Sequence, residues 1–535
     1  MVQSSQLSKL SSSFIISNFS IILSNNILFK FISWLHSNFC MAAAFVSVLV
    51  FGYDLVRSSV LDIFITYFTD EPTEYHLVKA AELATVLEGV SASLGIVVAY
   101  MLDALFSNLT IISCSIASTI FGLVLFTLNL MIWRGRYEFV YIIGIFLLAM
   151  GKGVRPQLNV FLADQLRGHE PADTNTNKYP VKVQKRVWLI VAWLCSVAVT
   201  FFISDFSWNK VLFSSTSVLV VTFILFLCGI PFYHSKKFTG AGSSLFNFIP
   251  VVKVSLLKRH IHYPSSYEHC FYDPNIHDNH RQTHLSPQVK ILRWLDKAAI
   301  IESSNLSPQD QNKAGRLCTV EQVKETKLLL KMIPIWSTFL VIGLVSSTGD
   351  TFSIVQGDKL NDPIGLLFYI VFYLKPISKA MISYLFYKFL SPERIPENQY
   401  KLAKILRIWI GMVLCPIFCA VSWRVEVGRL NNKITSLFWL APQYCLLGFM
   451  LGFSADGLEE FIIDELPKSL QNYASAMNGF VVDGLGSFLS ILFMYANRNI
   501  FDSTLDNSRL DTYYMRLMII SFLNVCYYYF ISTIY

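Results

Sequence analysis

From about residue 41 to the last residue, long apolar runs alternate with short polar ones, and the runs have helical length. A helix that crosses about 30 Å of hydrocarbon needs roughly 20 apolar residues. Stretches of that kind fall near 42–68, 80–104, 109–132, 138–162, 187–205 and 211–233. A second set falls near 328–347, 363–387, 403–423, 436–463, 471–496 and 513–534. The pattern predicts an all-α membrane protein with twelve transmembrane helices in two six-helix bundles. Four segments follow: an N-terminal cytosolic segment 1–40, a first bundle 41–235, a cytosolic linker 236–326 and a second bundle 327–535. Residues 1–40 are rich in Ser and Asn with apolar patches and lack the basic start and small-residue cleavage pattern of a signal peptide.

Composition agrees with the pattern. The 535 residues are 54% apolar and 15% charged, against roughly 25% charged in soluble domains. A soluble enzyme is excluded, and helical runs argue against a barrel, whose strands alternate over about ten residues. The ten Cys are scattered, many inside apolar runs (Cys195, Cys228, Cys415, Cys445), without a CxxC pair, and read as packing residues. The linker gathers His260, His262, His269, His277, His280 and His284. Pro, Asn and Asp run through the same segment, so it reads as a solvated loop and not a metal site, and no cofactor is implied.

Charge sets the orientation, because translocating Lys and Arg is disfavoured. Basic residues crowd the fourth-to-fifth connection (Arg167, Lys178, Lys182, Lys185, Arg186), the linker (Lys236, Lys237, Lys253, Lys258, Arg259) and the eighth-to-ninth connection (Lys388, Arg394, Lys401, Lys404). With twelve spans these share one side, the cytosol, and both termini lie there. Arg134, Arg136, Arg424, Arg429 and Lys433 fall on the other side and vote against the majority. The net charge of +7 suits membrane lipid as a partner and is too diffuse for a nucleic-acid surface. Oligomeric state is open.

Charges inside apolar runs are costly, and each is a candidate functional residue. Asp54 and Arg57 in the first span are three apart and expected to pair on one helix face. Arg155 stands in Gly151-Lys-Gly-Val-Arg-Pro156, Glu460 in Gly457-Leu-Glu-Glu-Phe461, and Asp350 near the end of the seventh span. Asp103, Asp164 and Asp464 sit near span ends, where the interface can receive them. Were the halves repeats, the fourth and tenth spans would be equivalent, and Arg155 would face Glu460 at the midplane.

Three strings then carry a family resemblance: Arg293-Trp-Leu-Asp-Lys-Ala-Ala-Ile300, Leu317-Cys-Thr-Val-Glu-Gln-Val-Lys-Glu-Thr-Lys327 and Ile333-Pro-Ile-Trp336. With Ala163-Asp-Gln165, Pro442-Gln-Tyr444 and Gly457 to Pro467, the chain from about residue 41 resembles the plant nitrate/peptide transporters. These belong to the proton-dependent oligopeptide transporter branch of the major facilitator superfamily. The resemblance implies the major facilitator fold, a cavity lined by spans one, four, seven and ten, alternating access and proton-coupled uptake of a small anionic or peptide-like solute. It implies the plasma or vacuolar membrane, and substrate-binding positions at Arg155, Glu460, Trp336 and Ser346.

Departures qualify the coupling. The family's Glu-x-x-Glu-Arg motif of the first helix aligns with Val50, Tyr53 and Asp54, so both carboxylates are missing. Arg155 replaces a Lys and keeps its proton, so it can hold an anion but not relay a proton. Asp103-Ala-Leu-Phe-Ser-Asn108 lacks the Arg of the superfamily's gating motif, and Ser346 stands where a nitrate-binding member has His. Glu460, Asp54 and Arg57 remain as proton-coupling candidates, with Arg155 as anion partner of Glu460. Symport, uncoupled facilitation and a receptor that keeps the fold without turnover stay open. A membrane-embedded enzyme is disfavoured, because no nucleophile motif, metal-ligand pair or phosphate loop appears in the spans.

Overall fold

The computed structural model describes residues 40–533, apart from 70–74, 105, 133–137, 169–180, 205, 235–247, 263–289, 303–306, 361–366, 391–395, 432 and 468–469. The N-terminal segment, His269, His277, His280, His284, Asn305, Arg134 and Arg136 lie outside the described residues. Among those described, the spanning elements are helical, and eleven helices are long and apolar enough to cross a membrane. The twelfth expected helix, Leu367–Phe389, has 23 residues and Pro376 in its interior. Its length suffices at about 1.5 Å per residue, but Lys375 and Lys379 lower its apolarity, and both have acidic partners.

Several expected helices are interrupted where polar groups are placed. The first runs Met41–Val56 and widens into a π-helical turn, Arg57–Leu61. The fourth breaks at Gly153-Val154 into Glu138–Lys152 and Arg155–Gly168. The eleventh is Ala474–Gly479, a π-helical turn Phe480–Leu485, then Gly486–Ala496. Such π turns are rare and concentrate at functional positions. The seventh, Ile333–Asp358, starts with Pro334 in its first turn, where the missing N–H costs nothing. Before it, Val320–Lys331 is fixed by a capping box in which Gln322 N–H donates to the Thr319 hydroxyl and the Gln322 side chain accepts from Thr319 N–H.

The chain resolves into two compact units. One holds the described residues up to Val56 with Arg155–Val199 and Ser217–Lys236. In it Gln165, from the Ala163-Asp-Gln165 string, closes a two-point bond to the backbone of His234: its Nε2 donates to His234 O at 3.2 Å and its Oε1 accepts from His234 N at 2.8 Å. Phe161 packs against Tyr233 and Phe226 beside that bond.

The other unit holds Arg57–Val154, Thr200–Thr216 and Lys237 onward. An aromatic cluster of Phe64, Tyr67, Phe68, Phe126 and Tyr141 packs mostly edge to face. Gly343 and Gly486 let the seventh and eleventh spans approach backbone to backbone, since a Cβ on Gly486 would lie 2.5 Å from Gly343 Cα. Gly486→Leu is expected to force these helices apart, at a cost of about 1–3 kcal/mol or more. A fall in melting temperature of the purified protein would show it, and an unchanged melting temperature would contradict the tight crossing.

The linker is more ordered than a polar connection suggests. Phe248–Leu257, the 3-10 segment Lys290–Ala299 and Val320–Lys331 enclose an apolar core of Val251, Val254, Leu295, Ala298, Ala299, Cys318, Val320 and Val323. Buried Lys258 donates to Ile300 O at 2.6 Å, and Lys327 pairs with Asp296 at 2.6 Å. Burial pushes the Cys318 thiol up to about 11, with Lys258 pulling the other way. Only about one thiol in ten thousand is then ionised at neutral pH. Alkylation of Cys318 in the folded protein should therefore be slow at neutral pH and accelerate as pH rises toward that value, whereas unfolded chain reacts readily. Mass spectrometry of the Cys318 peptide reads this, and fast neutral labelling of folded protein would contradict it.

Candidate functional site: charge pairs within the spanning helices

Asp54 is buried in the first span, and Arg155 opens the second part of the broken fourth helix. Arg155 Nη2 donates to Asp54 Oδ2 at 2.7 Å, and Nη1 donates to Asn159 Oδ1 at 3.0 Å. Arg57 opens the π turn and pairs with Asp62 at 3.2 Å. Within its unit, Arg155 bonds the carboxylate of Asp54.

Glu460 in turn is held by Arg407, at 2.8 Å from Nη1. Arg407 is 1% exposed, its Nη2 donates to Gly452 O at 2.7 Å and to Ser383 Oγ at 3.3 Å, and its guanidinium lies over the Phe386 ring. This is a fixed structural pair inside its own unit. Arg407 sits in the apolar run Ile405-Leu-Arg-Ile-Trp-Ile410. The rule that flagged Glu460, a charge inside a span, applied to it equally.

Further pairs occupy the same unit. Lys152 bonds Glu88 and lies 3.8 Å from Asp62. Lys375 bonds Asp350, and Ser346 donates to the same carboxylate at 3.5 Å. Lys379, one helical turn beyond Lys375, pairs with Asp456 at 3.1 Å, and Ser383 donates to Asp456. Sequence reasoning passed over Glu88, Lys152, Lys375, Lys379 and Asp483. Of the expected positions, Ser346 and Asp350 therefore come together. Trp336 is half-buried, with its indole N–H buried and lacking an acceptor among the described residues.

A second network explains one contrary orientation signal. Glu426, fully buried, accepts from Arg429 at 2.8 and 3.0 Å and from Gln356 at 2.6 Å, while Arg429 also bonds Asp506. Arg429 is thus a neutralised buried group rather than a free loop charge. Between the ends of spans in this unit lies a cavity of about 400 Å³, lined among others by Ser59, Thr66, Trp208, Asp358, Phe368 and Tyr369.

A removed partner in such a pair leaves an uncompensated charge in a low-dielectric interior, which is why paired intramembrane charges mark solute or ion pathways. Spanning helices with an interior laid out in this way define a membrane transporter of small solutes. The comparisons with known proteins agree. The family model PTR2, described as the POT family, matches residues 108–500. Protein NRT1/PTR FAMILY 5.6 of Arabidopsis thaliana is 30% identical over 427 residues, covering 74% of this chain and 71% of the relative. The chain belongs to the POT family, in its plant NRT1/PTR branch. The structure of an auto-inhibited POT family peptide transporter superposes with a TM-score of 0.65 at 12% identity, covering 92% of this chain and 96% of the other. A POT family transporter in complex with 5-aminolevulinic acid gives 0.55 at 10% identity, with 90% and 94% covered. These similarities support the major facilitator fold.

Proposed function

We propose that the protein is a proton-coupled secondary transporter that carries a small, charged, peptide-like solute by alternating access between two six-helix halves, 41–235 and 327–535, joined by the linker 236–326. The observation that carries this reading is the set of lysine–carboxylate pairs within the spans: Lys152 with Glu88, Lys375 with Asp350 and Lys379 with Asp456. Each pair offers a cation to a solute carboxylate and an anion to a solute amine. A solute with both groups can replace the internal partners without leaving a charge unmatched. A structural neighbour bound to 5-aminolevulinic acid, which has an amine and a carboxylate, supports that solute class. Arg155, fixed by Asp54 and Asn159, is the further anion-binding position. Ser346 acts through Asp350, and the unsatisfied indole of Trp336 supplies a further donor.

Uptake of a panel of amino acids, dipeptides and small anions into cells expressing the protein, at acidic and at neutral external pH, tests the function. Faster uptake at acidic pH supports symport. Uptake indifferent to pH would replace it by facilitation, and no uptake of any solute would favour a receptor of the same fold. The reading also places both termini and the linker in the cytosol of a plasma or vacuolar membrane. The acceptor Asn305-Leu-Ser307 should then carry no glycan, and a glycan found on Asn305 by mass spectrometry would invert the topology.

A further inference from the structure

We propose that Asp483 binds and releases the transported proton, with Lys379 as the cation that turns to it when the proton leaves. This rests on the transporter reading above and adds a residue that neither the sequence motifs nor the pairs described so far assign. Asp483 lies in the π-helical turn Phe480–Leu485 of the eleventh span. That turn packs against the second and seventh spans: a Cβ on Gly484 would touch Ala92 and Ser93, and one on Gly343 would meet the carbonyl of Val482. Asp483 is nevertheless exposed, on a part of the turn that charged groups of neighbouring spans face. No basic side chain among the described residues lies within ion-pair distance of it.

Its charged neighbours come from three elements. Lys379 and Lys375 face it from Leu367–Phe389, Glu88 from Leu77–Ala104 and Asp350 from Ile333–Asp358. Glu88, Asp350 and Lys375 are already matched, by Lys152 in the first case and by each other in the second and third. Lys379 is committed to Asp456 at 3.1 Å and also feels Asp483 and Glu459. Asp483 is therefore a surplus carboxylate inside a span. An unmatched charge there is expensive, and a proton removes it. With Asp483 protonated, Lys379 stays with Asp456. When the proton leaves, Lys379, the cation that acts most strongly on Asp483, offsets the new charge, and its move loosens the bond between the eighth and tenth spans. Proton binding at the eleventh span is thus linked to the packing of two others, and the linkage is reciprocal.

The test uses the purified full-length protein in liposomes and reads the carbonyl stretch of protonated carboxyl groups by difference infrared spectroscopy between acidic and neutral buffer. A band lost in Asp483→Asn, appearing only at more acidic pH in Asp456→Asn, where Lys379 is freed toward Asp483, and shifted in frequency in Asp483→Glu supports the proposal. A band unchanged in Asp483→Asn overturns it, and should that variant not fold, an unshifted band in Asp483→Glu does the same. Uptake separates this proposal from the reading beneath it. If wild-type uptake is proton-driven and Asp483→Glu and Asp483→Asn both keep the full pH response, the assignment of Asp483 falls and the transporter stands. If no solute is carried yet the band behaves as described, the proton site stands and the transport reading falls.

Discussion

Arg407→Ala is expected to be the most damaging single substitution in the second unit. The guanidinium is fully buried, neutralises Glu460, bonds the carbonyl of Gly452 and the hydroxyl of Ser383, and covers Phe386. Its removal opens a cavity over the ring and strips the donor from the Gly452 carbonyl, at a cost of about 2–5 kcal/mol for a large-to-small change in a packed interior, while Glu460, 38% exposed, is left to be partly solvated. Most proteins have only about 5–15 kcal/mol of stability in all. The variant should therefore accumulate poorly and elute as aggregate on size-exclusion chromatography. Arg407→Lys keeps the charge but not the planar set of donors, and should be intermediate. Arg407→Ala with Glu460→Ala removes both charges and should recover part of the loss. A monodisperse, normally stable Arg407→Ala protein would refute this account of the pair.

Lys375→Ala should produce the largest loss of transport at modest cost in stability. Lys375 and Asp350 have side chains 21% and 36% exposed, against 1% for Arg407, so water can partly solvate the partner left behind. Folding then survives, while the cation offered to the solute is gone. Uptake is expected to fall about tenfold or more, the equivalent of roughly 1.4 kcal/mol in solute binding or its transition state. The charge swap Lys375→Asp with Asp350→Lys restores neutrality and should regain folding in full and uptake in part. Surface expression measured beside uptake separates the two quantities. Normal uptake by Lys375→Ala would remove this pair from the solute pathway.

Helical character and approximate limits were legible because apolar length is a local property, written in consecutive residues. Leu367–Phe389 was legible as a helix in spite of two lysines, since its remaining residues keep the run. Interruptions were less visible. Nothing in Arg57-Ser-Ser-Val-Leu61 or Phe480-Val-Val-Asp-Gly-Leu485 announces a π turn, which forms because neighbouring helices hold the widened backbone. The inner core of the linker was hidden in the same way, because its apolar residues are spread over separate segments and meet only in space.

The sequence by itself determined that charges stand inside the spans, and it singled out Asp54, Arg155, Ser346, Asp350 and Glu460. Tertiary structure decided which of them meet: Asp54 with Arg155, Ser346 with Asp350 and Lys375, and Glu460 with Arg407. The physical reason is one of range. Apolar length and the cost of a buried charge are properties of a few consecutive residues, whereas an ion pair is satisfied at about 3–4 Å between side chains that are distant in sequence. Helix rotation, a π turn or a break at Gly153-Val154 then selects the partner.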